Sequence, residues 1–193
     1  MSLQNALLGV LDARPMSGYE LAQFFDSAAG WLWSAPQSQI YPALARMAAD
    51  GLIVGETSVR GSRLRRTVYS LTLRGREALL AWISEYHAPA VSRDAFDLQA
   101  VLLDMAAPED AVGVLKSYAE EQARAAERYE VHAMRLRAGD TPLLRERLRN
   151  RPSADHERIS RLKAHVFAGK AAVCRQRVEW AQEAIALIDV SAR

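Results

Sequence analysis

Apolar residues recur along this chain at two different periods, and the change of period separates helices from strands. Leu3, Leu7, Leu8, Val10 and Leu11 share one helical face, and Arg14-Pro15 ends that first helix by removing the next backbone donor. Ser17 and Glu20 stand at capping-box spacing and open a short helix through Asp26, whose Tyr19, Leu21, Phe24 and Phe25 are expected to bury against the first. A third helix lies between Ser34 and Gly51. Its Ile40, Ala43, Leu44 and Met47 form one apolar stripe at 3.6-residue spacing, while Ser38, Gln39, Ala45 and Arg46 point elsewhere. Ser34 with Gln37 again has capping-box spacing, and Gly51 stands where a left-handed C-cap is wanted. Pro42 requires either a distorted first turn or a regular helix that starts near Ser38. The connection from Ser27 to Ser34 is longer than a tight helix-turn-helix allows, which favours the winged variant.

Beyond Gly51 the period falls to two. Leu52 to Val59 and Arg65 to Thr72 read as strands, with Thr67, Tyr69 and Leu71 alternating against Val68 and Ser70, and Gly61-Ser62 supplies the turn between them. Tyr69 and Leu71 are assigned to the core. Thr72 caps a helix running to about Tyr86, with Leu79, Leu80, Trp82 and Ile83 on its apolar side. His87-Ala-Pro89 breaks the pattern, so the expected domains are 1–88 and 89–193.

The second half is helical throughout. Ser92 to Met105 reads as a short helix, and Pro108 starts a long one that meets no strong breaker before Gly139. Along it Val112, Leu115, Ala119, Gln122, Ala126, Tyr129, Ala133 and Leu136 alternate by three and four, which is heptad spacing. Thr141-Pro142 caps a helix through Leu148, and Asn150 to Pro152 interrupts it. The last segment, Ala154 to Ile188, places Ile159, Leu162, Val166, Val173, Trp180, Ala184 and Leu187 on a related stripe. Helices of some thirty residues are roughly 45 Å long, and their apolar edges need partners. The two can pair within one chain; a second copy also supplies a partner, and both are expected, with Val112, Leu115, Tyr129, Leu136, Val173, Trp180 and Leu187 as the dimerisation residues.

Charge sharpens this picture locally. The chain carries only +2, yet between Thr57 and Arg76 stand six arginines (60, 63, 65, 66, 74 and 76) and no acid. Arginine offers a planar fork of donors that matches phosphate, so a hairpin tip of this kind directly after a capped helix reads as a wing for nucleic acid rather than a solvated turn.

Composition excludes several other classes. One cysteine, Cys174, rules out a disulfide framework and suits a reducing compartment. The opening residues lack a basic n-region, and the longest uncharged run, Ser27 to Ala45, is too rich in Pro, Ser and Gln to span a membrane, so the expectation is a soluble cytoplasmic protein. The four histidines show no metal-ligand spacing, and neither a glycine-rich phosphate loop nor a nucleophile elbow is present. No cofactor and no enzymatic activity are expected.

Several short stretches together resemble the winged-helix domain of PadR-family transcriptional regulators: ALLGVL at 6–11, SGYEL at 17–21, QIYPAL at 39–44, DGLI at 50–53, RRTVYSLT at 65–72, and GR at 75–76. The resemblance implies a mostly α protein with an N-terminal winged helix-turn-helix domain, a two-stranded wing and a C-terminal all-helical dimerisation domain. It further implies a homodimeric repressor on a pseudo-palindromic stretch of double-stranded DNA, often controlling genes for detoxification, efflux or phenolic-acid metabolism and often released by a small aromatic effector. Carried over residue by residue, the resemblance implies that Gln37, Ser38, Gln39 and Tyr41 lie at the leading end of the helix entering the major groove, where Gln can pair with adenine and the hydroxyls can reach base edges or phosphate. Packing is the alternative role of Tyr41, which borders the apolar stripe. The resemblance also implies that Arg46 meets phosphate farther along and that Arg60, Ser62, Arg63, Arg65 and Arg66 belong to the wing. The chain departs from many relatives in the alanine-rich AADG at 48–51 and in its paired tryptophans. Trp31, Trp33 and Trp82 are the candidate effector-binding residues, although tryptophans in a small domain are more often core. The rival reading is a winged-helix protein-interaction adaptor without sequence-specific DNA binding.

Overall fold

Thirteen residues of regular helix, capped at one end by a glycine and followed by a hairpin, form the centre of the first part of the molecule. The computed structural model describes residues 2–27, 36–60, 64–88 and 94–191, with the backbone alone at 2, 27, 58–60, 64–65 and 189–191. The elements are α1 (Ser2–Leu11), β1 (Met16–Ser17), α2 (Gly18–Ser27), α3 (Gln37–Ala49), β2 (Ile53–Arg60), β3 (Leu64–Leu71), α4 (Leu73–Ile83), α5 (Ala95–Val101), a 3-10 turn (Leu103–Met105), α6 (Pro108–Arg137), α7 (Pro142–Arg149) and α8 (Ser153–Ser191). The backbone divides into two units, Met1–Ala88 with Glu146–Asn150, and Pro89–Arg145 with Arg151–Arg193.

In the first unit the periodic stripes meet. Leu7, Leu8 and Leu11 of α1, Leu21 and Phe25 of α2, and Ile40, Leu44 and Met47 of α3 are buried together with Ile53 and Leu79. Tyr19, expected inside, is 61% exposed, because the capping box turns it to the outer side of α2. The two-stranded wing is β2 with β3, and β1 adds a third strand on the other edge of β3, giving the order β1-β3-β2, all antiparallel. Met16 pairs with Tyr69 and Ser17 with Val68 on one edge of β3, and Ile53 through Arg60 pair with Leu71 through Leu64 on the other. Tyr69 and Leu71 are half-buried rather than core, as are Val68 and Ser70 on the other face of β3.

The ends of the elements follow local chemistry. α3 closes in a Schellman motif: Gly51 adopts φ +69°, its N–H donates to Ala48 O at 3.1 Å, and Leu52 N–H donates to Met47 O at 2.9 Å. Thr72 is the N-cap of α4 and accepts from Gly75 N–H at 3.0 Å, while its hydroxyl lies 2.9 Å from Leu52 O. α4 ends at Ile83, short of the expected Tyr86. The return segment is held to α1 by Arg147, which donates to Asp12 at 3.0 Å and to the Gly9 carbonyl, and by Asn150 Nδ2, which donates to Ala13 O at 3.1 Å.

The second unit is built on α6 packed along α8. Asp94 caps α5 by accepting from Phe96 N–H at 3.0 Å, so this helix starts at Ala95 and gives way to the 3-10 turn. Pro108 begins α6 as its composition predicts. The buried seam of α8 is Ser160, Ala164, Phe167, Ala171, Cys174 and Ala181, spaced by threes, fours and one interval of seven. Facing it on α6, Ala111, Leu115, Ala126 and Leu136 are buried. Small residues on both helices let them approach closely. The dimerisation set therefore divides. Leu115 and Leu136 are buried inside one chain, Val112 and Tyr129 are half-buried there, and Val173, Trp180 and Leu187 remain 52%, 44% and 72% exposed. Phe96 stacks on Tyr118 at 3.6 Å, and Trp180 meets both rings edge-on at 6.2 Å. No helix among the described residues is long and apolar enough to cross a membrane.

Candidate nucleic-acid interface

α3 begins at Gln37 and runs through Pro42 without interruption, one residue before the later start that the sequence allowed. Ser34 lies outside the described residues. Pro36 holds the N-cap position at φ −65°, ψ 150°, and no side chain caps it. Gln39 N–H donates to Pro36 O at 2.9 Å, so the N–H groups of Gln37 and Ser38 lead the helix. Gln37, Ser38 and Gln39 are exposed, as is Arg46 two turns on, while Ile40, Ala43, Leu44 and Met47 are buried beneath them. One helix thus offers amides and hydroxyls outward on an anchored apolar base.

Tyr41 packs on one side and is open to solvent on the other. A Cβ on Gly18 would stand 2.7 Å from Tyr41 Cε1, so the ring lies edge-on against the first turn of α2, yet Tyr41 is 48% exposed. The ring borders the polar end of α3 and reaches solvent beside it.

The hairpin carries its charge less freely than the sequence suggests. Arg63 and Ser62 lie outside the described residues, and Arg60 and Arg65 are placed by their backbones in β2 and β3. Arg66 Nη2 donates to Glu20 Oε2 at 2.7 Å, and Arg14 approaches Glu20 Oε1 at 3.6 Å. The same Oε2 accepts from Ser17 N–H and from Ser17 Oγ, both at 2.8 Å, completing the expected capping box. Burial works against the Glu20 charge, but the Ser17 and Arg66 hydrogen bonds and the Arg66 charge outweigh it and lower its pKa to about 2. Arg76 pairs with Asp12 at 3.8 Å. Among the described side chains, Arg66 and Arg76 of the cluster therefore have acid partners, Glu20 in α2 and Asp12 just after α1, acids too distant in sequence for a local count to register.

Trp82, in α4, stacks on His87 at 5.2 Å, and the His87 ring hydrogen-bonds to the Trp82 carbonyl at 2.8 Å. Trp31 and Trp33 lie outside the described residues. Among the described residues no three His, Cys, Asp or Glu side chains come together to hold a metal.

A capped helix with an open polar end, buried on a helical base and followed directly by an antiparallel hairpin, defines a winged helix-turn-helix protein. The profile of the transcriptional regulator PadR-like family matches residues 7–81, the stretch from α1 to α4. The negative transcriptional regulator PadR of Bacillus subtilis (strain 168) is 31% identical over 121 residues, covering 62% of this chain and 66% of that protein, just under two thirds. The crystal structure of Bacillus subtilis PadR in complex with operator DNA superposes with a TM-score of 0.76 at 24% identity, over 97% of this chain and 99% of that one. PadR of the same organism in complex with p-coumaric acid gives 0.73 at 23% identity, over 98% and 99%. Residues 7–81 thus match the PadR-like family of transcriptional regulators, and the fold over the whole chain is that of the Bacillus subtilis PadR structures.

Proposed function

We propose that this chain is a DNA-binding repressor that acts in the cytoplasm as a homodimer on a pseudo-palindromic operator, is released by a small aromatic effector, and has no catalytic role. The observation that carries the reading is α3, whose Gln37, Ser38 and Gln39 are exposed at a leading end that no side chain caps, directly ahead of an arginine-bearing hairpin. Gln37, Ser38, Gln39 and Tyr41 enter the major groove, Arg46 meets phosphate, and Arg60, Ser62, Arg63 and Arg65 steady the wing on the sugar-phosphate backbone. Support for the ligands comes from Bacillus subtilis PadR, known in complex with operator DNA and with p-coumaric acid.

Dimerisation has its support in α8. Val166, Val173, Trp180 and Leu187 recur every seven residues, all exposed, about 100° around the helix from the buried seam. A second copy would cover this stripe through a two-fold interface and hold two recognition helices about 34 Å apart. Effector binding then acts by changing that spacing, and Trp31, Trp33 and Trp82 are the residues to test for the effector.

The experiment is a gel shift on the DNA upstream of the chain's own gene across a salt series. If each protomer neutralises about four phosphates, the log-log slope of affinity against salt is about −7. A flat response supports the adaptor reading instead. Arg63→Ala with Arg65→Ala weakens binding to every sequence, whereas Gln39→Ala changes preference among sequences. Addition of p-coumaric acid tests release, and retained binding at saturating acid excludes that compound class.

A further inference from the structure

The wing strand and α2 meet at a single carboxylate. β1 sets Ser17 opposite Val68 of β3, and the capping box then places Glu20 beside Arg66, two residues from Val68 and on the same face of the strand. Glu20 Oε2 is fixed before Arg66 arrives, because Ser17 N–H and Ser17 Oγ both donate to it at 2.8 Å. Arg66 Nη2 adds a third donor at 2.7 Å, and Arg14 approaches the other oxygen at 3.6 Å. The carboxylate is 28% exposed and the Arg66 side chain 45%, so this contact joins an anion held by the capping box to a longer, half-exposed cation.

The geometry points to Glu20 as a positioning residue for the wing, holding Arg66 in an internal bridge so that this arginine anchors the hairpin to α2 and neutralises no DNA phosphate. The inference rests on the DNA-binding reading above. Its physical basis is a competition between two anions for one guanidinium. A phosphate could take Arg66 only by leaving Glu20 to its Ser17 donors and the more distant Arg14, a carboxylate beside the duplex that would repel the same backbone. With its pKa lowered to about 2, Glu20 carries its charge at neutral pH and so offers Arg66 an anion when the protein meets DNA. The bridge also keeps the wing's net attraction for DNA of any sequence below what its arginines alone would give, which favours the groove contacts of α3 in the balance between specific and non-specific binding.

Counterion release separates an anchoring arginine from a phosphate-binding one. We expect Arg66→Gln in the full chain to leave the salt slope of operator binding within about 0.3 of wild type, because no phosphate contact is lost. Glu20→Gln frees Arg66, and the slope should steepen by up to about 1.8 for the dimer, two contacts of about 0.9 each, with tighter binding to unrelated DNA. The double variant Glu20→Gln with Arg66→Gln should return the slope to the wild-type value, an effect that a purely structural role for Glu20 would not produce. A slope shallower by about 1.8 in Arg66→Gln, or an unchanged slope in Glu20→Gln, overturns the inference while leaving DNA binding intact. Should Glu20→Gln fail to fold, Arg66→Gln alone decides, since its side chain is half exposed and outside the capping box. Wild-type binding that ignores salt removes the DNA-binding reading and this inference with it.

Discussion

Gly75 lies so close to Leu52 that a Cβ built on it would stand 2.0 Å from the Leu52 carbonyl oxygen. That oxygen also receives Thr72 N–H at 3.2 Å and lies 2.9 Å from Thr72 Oγ. One carbonyl thus ties the residue after the α3 cap to the first turn of α4. Backbone cannot yield as a side chain does. Gly75→Ala is expected to destabilise the first unit by about 1–3 kcal/mol, although alanine is the better helix former by about 1 kcal/mol. Urea unfolding reads this as a lower midpoint at unchanged slope, and an equal or higher midpoint would show that the turn has room.

Ala171 and Val173 stand two residues apart on α8 with opposite fates, one fully buried in the seam and the other 52% exposed. Ala171→Leu overfills the seam and should cost about 1–3 kcal/mol of stability. Val173→Glu instead places a charge on the outer stripe. It is expected to shift the protein from dimer towards monomer in sedimentation velocity while leaving far-ultraviolet dichroism unchanged. A dimer that persists in Val173→Glu together with Leu187→Glu would remove this stripe from the interface.

His132 meets the Phe167 ring edge-on at 4.4 Å within the α6–α8 pair. Burial disfavours its imidazolium and the neighbouring Arg135 adds repulsion, so its pKa is lowered from 6.5. Above 6.5 both folded and unfolded chains hold it neutral and it contributes nothing to pH dependence. As pH falls below 6.5 the unfolded chain takes up a proton that the folded chain refuses, and stability is lost. The urea midpoint of wild type should therefore drop from pH 7.5 to 5.5 by more than that of His132→Gln. Parallel curves would assign the acid sensitivity elsewhere.

Asp12 is buried, at 8% side-chain exposure, and receives Arg147 from the return segment, itself 19% exposed. Arg147→Met keeps an unbranched stem in place of the arginine methylenes and removes the donors to Asp12 and to the Gly9 carbonyl. A loss of about 1–3 kcal/mol follows from leaving buried acceptors under-satisfied. The check is the unfolding midpoint, with Arg149→Met, an exposed neighbour on the same helix, as the reference that should change little.

Local pattern made the winged helix readable and distance in sequence hid the rest. Ile40, Ala43, Leu44 and Met47 announce the buried side of α3 by spacing alone, and Gly51, Thr72 and Pro108 mark their helix ends by chemistry that acts within a turn. β1 gave no signal, because two residues between helices cannot show alternation. The pairs Glu20–Arg66 and Asp12–Arg147 join positions 46 and 135 residues apart, and no periodicity reports such contacts. In α8 the eye follows large residues, Val173, Trp180 and Leu187, whereas the seam is made of Ala164, Ala171, Cys174 and Ala181. Close helix packing selects for smallness, which hydrophobic ranking discounts.

The first unit takes its last piece, Glu146–Asn150, from far along the chain, after the whole of α6 has been traversed. A reading head excised at residue 88 would therefore leave behind the guanidinium that Asp12 and the Gly9 carbonyl accept from. Grafting this head onto another regulator calls for carrying the distant patch along, or for redesigning Asp12 as a neutral residue, and a single cut in the gene accomplishes neither.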